Sequence, residues 1–156
     1  MEWLTAFRGK VVGLDTAPVI YFIEEHPIYL PTVDPFFSAL DQGDFTVVTS
    51  IMTLLEVLVH PFRRNDARLA QQYRSILLNS EKLKTLFLSQ DIAEETARIR
   101  ARYNIHTPDA IQMATAIHGG AEFFLTNDNS LPSLPNLTVI TLNDLKLTEN
   151  DEEKET

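Results

Sequence analysis

The sequence predicts an α/β fold, a three-layer α/β/α sandwich around a mostly parallel sheet of four to five strands. Three observations lead there. Short apolar runs bounded by turn residues recur along the chain, as expected of strands buried on both faces. Segments with apolar residues at helical spacing separate these runs, and that alternation makes the strands parallel with helices on both faces of the sheet. The 156 residues, 44% hydrophobic and 22% charged, suit a single domain that buries a core of its own.

Val11 to Leu14 is the first strand, an apolar run ending at Asp15. A helix is expected from Ala17 to Glu25, with Pro18 in its first turn and His26-Pro27 ending it. Asp34 to Gln42 predicts a second helix, with Phe36, Phe37 and Leu40 at helical spacing and Gly43 just beyond. Phe45 to Val48 is the second strand. Thr49 or Ser50 then caps a helix that runs to His60, before Pro61. Residues 64–79 carry a helical stripe of Leu69, Tyr73, Ile76 and Leu77. Leu83 to Leu88 predicts a third strand, interrupted by Lys84, and Ile92 to Tyr103 a charged amphipathic helix. Thr107-Pro108-Asp109 starts the next helix, with Thr107 as the expected cap, and Gly119-Gly120 ends it. Glu122 to Leu125 is the fourth strand, leading into Thr126-Asn127-Asp128, and Leu137 to Ile140 the fifth, at a sheet edge. Residues 1–9 form an N-terminal extension, 10–148 the domain, and 149–156 an acidic block with no apolar residue to bury, expected to be disordered.

The chain has no cysteine, which excludes a disulfide scaffold, a thiolate metal site and a cysteine nucleophile. Its four histidines make no metal motif, and five glycines leave no phosphate-cradling loop. No apolar run reaches the ~18 residues that span a membrane. Met1-Glu2-Trp3-Leu4 lacks the basic region and apolar core of a signal peptide, so a cytoplasmic location is expected. The net charge of −9 would argue against a polyanionic partner, but it is uneven. The acidic block 149–156 carries −4, and residues 61–102 carry +4 through Arg63, Arg64, Arg68, Arg74, Arg98, Arg100, Arg102 and two lysines. Those arginines suit solvated helix faces or phosphate contacts along an RNA groove.

In a parallel sheet, functional groups gather beyond the carboxyl ends of the strands at a topological switch point. Asp15 and Asp128 both follow apolar strands there. Each has a structural explanation when taken alone, Asp15 as a helix cap and Asp128 as a turn residue. Glu56 is a lone carboxylate in the apolar run Leu54 to Val59, suited to the solvent edge of its helix or to a polar pocket at the end of the second strand. Asp109 lies in a first helical turn, where a carboxylate also complements the helix dipole. The fold can bring all four to one cleft. Four nearby carboxylates raise each other's pKa and do not all stay ionised unaided, and a divalent cation is the usual resolution. Oxygen ligands without cysteine or a histidine cluster select Mg²⁺ or Mn²⁺ over zinc, ions that support phosphodiester cleavage.

Four pieces then fall in a familiar order: Leu14-Asp15-Thr16, "SIMTLLE" from Ser50 to Glu56, "TPDAIQMATAI" from Thr107 to Ile117, and "FFLTND" from Phe123 to Asp128. With the strands between them, residues 10–142 resemble the PIN-domain family and especially the VapC-like ribonuclease toxins. The resemblance implies a metal-dependent endoribonuclease using Mg²⁺ or Mn²⁺ and leaving 5′-phosphate and 3′-hydroxyl ends. It maps the acidic cluster onto Asp15, Glu56, Asp109 and Asp128. Asp15 and Asp109 would bind the metal, with Glu56 and Asp128 completing the set directly or through water. Thr126 would position these groups by hydrogen bonding, with Thr16 and Ser50 as weaker supports. The resemblance also implies an RNA substrate, an antitoxin partner that blocks the acidic cleft, and a homodimer. The pattern departs at Asn129, where many relatives carry a further acidic residue, and in the residues before the first strand. Two other readings compete. One is a non-catalytic RNA-binding or interaction domain on the same fold. The other is phosphoryl transfer through Asp15 as nucleophile, which lacks the second Asp two residues on because Ala17 stands there.

Overall fold

The structure is a computed structural model that describes residues 2–155, with 147–149 described by their backbone alone. Five strands, β1 (Val11–Leu14), β2 (Thr46–Ser50), β3 (Leu83–Leu86), β4 (Phe123–Thr126) and β5 (Thr138–Thr141), form one sheet in the order β3-β2-β1-β4-β5. Every neighbouring pair is parallel. The helices are α1 (Glu2–Phe7), α2 (Thr16–Ile23), α3 (Leu30–Asp41), α4 (Ile51–Arg63), α5 (Ala67–Leu78), α6 (Gln90–Arg102), α7 (Thr107–His118) and α8 (Leu142–Glu155).

Alternate residues of each central strand feed two cores, as the period of two in a strand requires. Val12, Leu14, Val47 and Leu125 face one core with residues of α1, α2, α3, α5 and α8. Val48 and Phe124 face the other with α6 and α7. Gly13 lies on the second face, where a Cβ would stand 2.4 Å from Ala116 Cβ. A side chain there would push α7 off the sheet, so this glycine sets how closely helix and strand approach.

Several boundaries differ from the sequence expectation. Helix α3 starts at Leu30 rather than Asp34 and carries Pro35 inside it, because Thr32 and Val33 are buried on the same face as Phe36 and Phe37. Helix α4 runs through Pro61 to Arg63, with Pro61 itself buried. Burial of an amphipathic face outweighs the one backbone bond that a proline omits. Helix α7 is preceded by His106 in the capping position, with no side-chain cap bond, and Thr107 is its first residue. Helix α8 starts at the buried Leu142 and Leu145 and continues to Glu155, so the acidic block expected to lack structure extends a helix that is anchored upstream. The N-terminal extension is part of the fold. Phe7 is fully buried, 5.7 Å from the Phe45 ring and 5.1 Å from the Phe123 ring. Among the described residues, no helix is long and apolar enough to cross a membrane.

Candidate active site

The strand order reverses on either side of β1, and the carboxyl ends of β1 and β4 lie side by side, with Leu14 in register with Leu125. This is where a parallel sheet opens a crevice. Asp15 follows β1 directly. Its N–H donates to Leu125 O at 3.0 Å, which ties the residue to the end of β4. Its Oδ1 accepts from the Thr16 N–H at 2.8 Å, capping α2, and its Oδ2 accepts from Thr126 Oγ1 at 2.7 Å. The structural and functional readings of Asp15 are therefore compatible, because a carboxylate has four acceptor positions and the cap occupies one. Thr126 is fully buried at the end of β4 and also accepts from the Asp128 N–H at 3.0 Å. One hydroxyl thus ties the Asp15 carboxylate to the Asp128 backbone. Asp128 is itself held in a turn, with Oδ1 accepting from Ser130 N at 2.8 Å and Ser130 Oγ at 2.6 Å.

Asp109 reaches this end of the sheet from the first turn of α7, and Glu56 from the solvent-facing side of α4. Burial raises the Asp109 pKa, and the negative charges of Asp15, Asp128 and Glu56 raise it further, against a smaller opposing effect of His106. Burial also raises Asp15, with Asp128 adding to it, while the bonds from Thr126 and the Thr16 backbone pull the other way. Asp128 is lowered by its two bonds from Ser130. All four predicted carboxylates therefore act in one electrostatic neighbourhood. Asp15 and Asp128 line an open depression of about 560 Å³ with Ala17, Tyr21, Asn127, Asn129 and Ser130. Asp109 and Glu56 are not in its lining. Another cavity, of about 420 Å³, lies between α6, Ile117 and Leu134 and contains none of the four carboxylates.

Of the supporting residues, Thr16 is buried and its hydroxyl lies 3.4 Å from Thr53 Oγ1. Ser50 caps α4, accepting from Met52 N at 3.1 Å, and its own N–H donates to Gln112 Oε1 at 3.4 Å. Two participants escaped sequence reasoning. Asn127 donates from Nδ2 to Tyr21 Oη at 3.0 Å at the depression's edge. Gln112 is buried on α7 and donates to Thr53 Oγ1 at 2.7 Å. Its signal was a lone amide among Ala110, Ile111, Met113 and Ala114. In the basic segment, Arg98 pairs with Glu95 at 3.0 Å, Arg100 Nε donates to Ile105 O at 3.2 Å, and Arg74 stands 5.6 Å from the centre of the Phe62 ring.

The PIN domain family model matches residues 12–137, which contain the whole sheet except Val11 and β5, together with all four carboxylates. The chain belongs to the PIN domain family. No curated protein sequence matches it. Among solved structures it is similar to a chain of VapBC2 from Rickettsia felis bound to a DNA fragment from their promoter. That match has 19% identity and a TM-score of 0.66 over 84% of this chain and 98% of that one. A toxin–antitoxin complex from Klebsiella pneumoniae matches at 24% identity and TM-score 0.63, over 85% of this chain and 97% of that one. The Mycobacterium tuberculosis toxin VapC20, described as cleaving the sarcin-ricin loop, matches at 18% identity and TM-score 0.62, over 77% and 91%. At these identities the likeness shows the fold alone.

Proposed function

We propose that this PIN domain is a divalent-metal-dependent endoribonuclease and the toxin of a toxin–antitoxin pair. What supports the reading is that the charges of Asp15, Asp128 and Glu56 all act on Asp109, with Asp15 and Asp128 at the strand ends of the switch point. The donor set is all oxygen, and Asp15 and Asp109 are raised by burial and by like charge. Among the described residues, no lysine or arginine stands within ion-pair distance of Asp15, Asp109, Asp128 or Glu56, and the salt bridges Lys10–Glu122 and Arg98–Glu95 lie elsewhere. That chemistry fits Mg²⁺ or Mn²⁺, held by Asp15 and Asp109 with Asp128 and Glu56 completing the set. Such an ion activates water and stabilises negative charge on the phosphate during hydrolysis. The chain's own part is to orient Asp15 through Thr126, to hold Asp128 in its Ser130 turn, and to present Glu56 at the open side. The structural neighbours that are toxin–antitoxin complexes support an antitoxin partner, whose inserted arginine would satisfy these carboxylates and block them. An RNA substrate, a homodimer and a cytoplasmic location belong to the same reading.

The test uses purified protein and RNA. With Mg²⁺ or Mn²⁺ the wild type is expected to cleave, leaving 5′-phosphate ends, and Asp15→Asn to abolish cleavage. Equal activity of the variant and the wild type would sink the assignment. A second reading has its own support. Among the described residues, no three histidine or carboxylate side chains form a ready metal-holding group. That favours a domain which binds RNA or protein without cleaving it. Calorimetric titration that shows no Mn²⁺ binding at millimolar metal selects this second reading.

A further inference from the structure

Beneath the carboxylates lies a buried polar network that the proposed chemistry does not use directly. Gln112, 3% exposed, is at its centre. Its Nε2 donates to Thr53 Oγ1 at 2.7 Å and to Thr16 Oγ1 at 3.3 Å, and its Oε1 accepts from the Ser50 N–H at 3.4 Å. Counting hydrogens fixes the remaining directions. Thr49 Oγ1 donates its one hydrogen to Leu14 O at 2.8 Å. Thr53 must then donate to Thr49, 2.8 Å away, and Thr16 to Thr53, 3.4 Å away. Both amide hydrogens and all three hydroxyl hydrogens have acceptors, so the network has a single arrangement. Rotating the amide would aim N–H at N–H at Ser50 and leave Thr53 without its donor.

The placement of the three bonded side chains gives the network a consequence for the cleft. Thr16 immediately follows Asp15. Thr53 lies three residues before Glu56 on α4, and Gln112 three residues after Asp109 on α7. Residues three apart share a helix face. Gln112 and the two threonines it bonds are therefore each adjacent to, or one turn from, a different carboxylate. A stripe of apolar side chains could pack these elements with slack along their axes, whereas directional bonds fix their mutual register.

We propose that Gln112 is a positioning residue that sets the spacing of the acidic cleft, its amide locking the start of α2, the end of β2 and the first turn of α4 to α7 so that Asp15, Glu56 and Asp109 face one divalent cation. The role rests on the metal-dependent reading above. Asp128 is held separately, its backbone N–H by Thr126 and its carboxylate by Ser130. Gln112 touches no substrate, and its effect reaches the metal through the carboxylates.

The test compares the full chain with Gln112→Met, which keeps length and flexibility but loses the amide, and with Gln112→Glu, which keeps an acceptor for Ser50 and loses the donors. Thr96→Val is the structural control, because Thr96 is also buried and bonded, to Ile92 O at 2.7 Å, but on α6 away from the cleft. Mn²⁺ affinity by calorimetry and thermal unfolding by circular dichroism are read for each. Both Gln112 variants are expected to lose Mn²⁺ affinity by about tenfold or more, the scale seen when groups supporting metal ligands are removed. Thr96→Val is expected to lower the melting temperature and leave Mn²⁺ affinity unchanged. In RNA cleavage the Gln112 loss should fall on kcat, with KM for RNA little altered. Gln112 variants that melt lower but bind Mn²⁺ like the wild type overturn the positioning role and leave the nuclease reading standing. Failure of both variants to show a cooperative melt overturns it too, in favour of a purely structural role. A wild type that binds no Mn²⁺ overturns the metal-dependent reading itself, and the positioning role with it.

Discussion

A carboxylate that is hard to ionise marks the site most directly. Burial and three neighbouring negative charges raise Asp109, and burial with Asp128 raises Asp15. Ionising either therefore costs more in the folded chain than in the unfolded one. In the metal-free protein their contribution to stability is whole below the ordinary carboxylate value of 3.8 and is lost as pH rises through their raised values. Asp128, lowered by Ser130, acts in the opposite sense, stabilising above 3.8 and losing that contribution as pH falls through its lowered value. Asp109→Asn should therefore melt higher than the wild type in EDTA at about pH 7.5 by a few degrees, the difference closing near about pH 4. Circular dichroism melts at the two pH values check this, and a variant that melts lower than the wild type at neutral pH contradicts the electrostatic account. Added Mn²⁺ should reverse the order, because the ion stabilises the wild-type cluster by mass action.

At the scale of elements, the approach of α7 to the sheet decides where Asp109 stands. Gly13 permits that approach, and a Cβ at this position would also come within 3.1 Å of the Phe124 ring. Gly13→Ala should destabilise the fold by about 1–3 kcal/mol, the cost of overpacking a filled interior. Urea denaturation should show this as a lower midpoint at an unchanged slope. RNA cleavage should fall as well, because α7 shifts with Asp109 on its first turn. Helix α4 illustrates a related point. Ser50 caps it at the end of β2, so the helix that carries Glu56 starts at the switch-point edge of the sheet, and Pro61 falls within its last turn without ending it. Local signals located the starts of most elements. Tertiary burial decided where α3, α4 and α8 extend, because it depends on which face meets the core.

For the whole molecule, the N-terminal residues are structural. Phe7 touches rings from α3, the residue before β2 and β4, so it closes one core at the end of the sheet opposite the carboxylates. Phe7→Ala should cost about 3–5 kcal/mol and lower metal-independent stability without any specific effect on Mn²⁺ affinity. Chemical denaturation and calorimetry separate the two. The net charge of −9 also takes a different meaning at this scale. Part of it is concentrated at the switch point, and part lies in the acidic residues that extend α8.

The sequence by itself determined the fold class and the five strands, because each depends on local pattern: apolar runs of strand length with turn residues between them. It also singled out four carboxylates, Asp15 and Asp128 after strands, Asp109 in a first helical turn and Glu56 alone in an apolar helical run. Only the tertiary structure decided what holds those carboxylates in place. Gln112 bonds partners 59 and 96 residues away, and Thr126 reaches Asp15 across 111 residues. A lone glutamine in an apolar helix looks like an interruption until the elements carrying Thr16 and Thr53 are folded against it. The physical reason is that hydrophobic burial acts through pattern and is legible one segment at a time. A hydrogen bond needs its partner in place, and for this site the partners come together only when the sheet and helices have assembled.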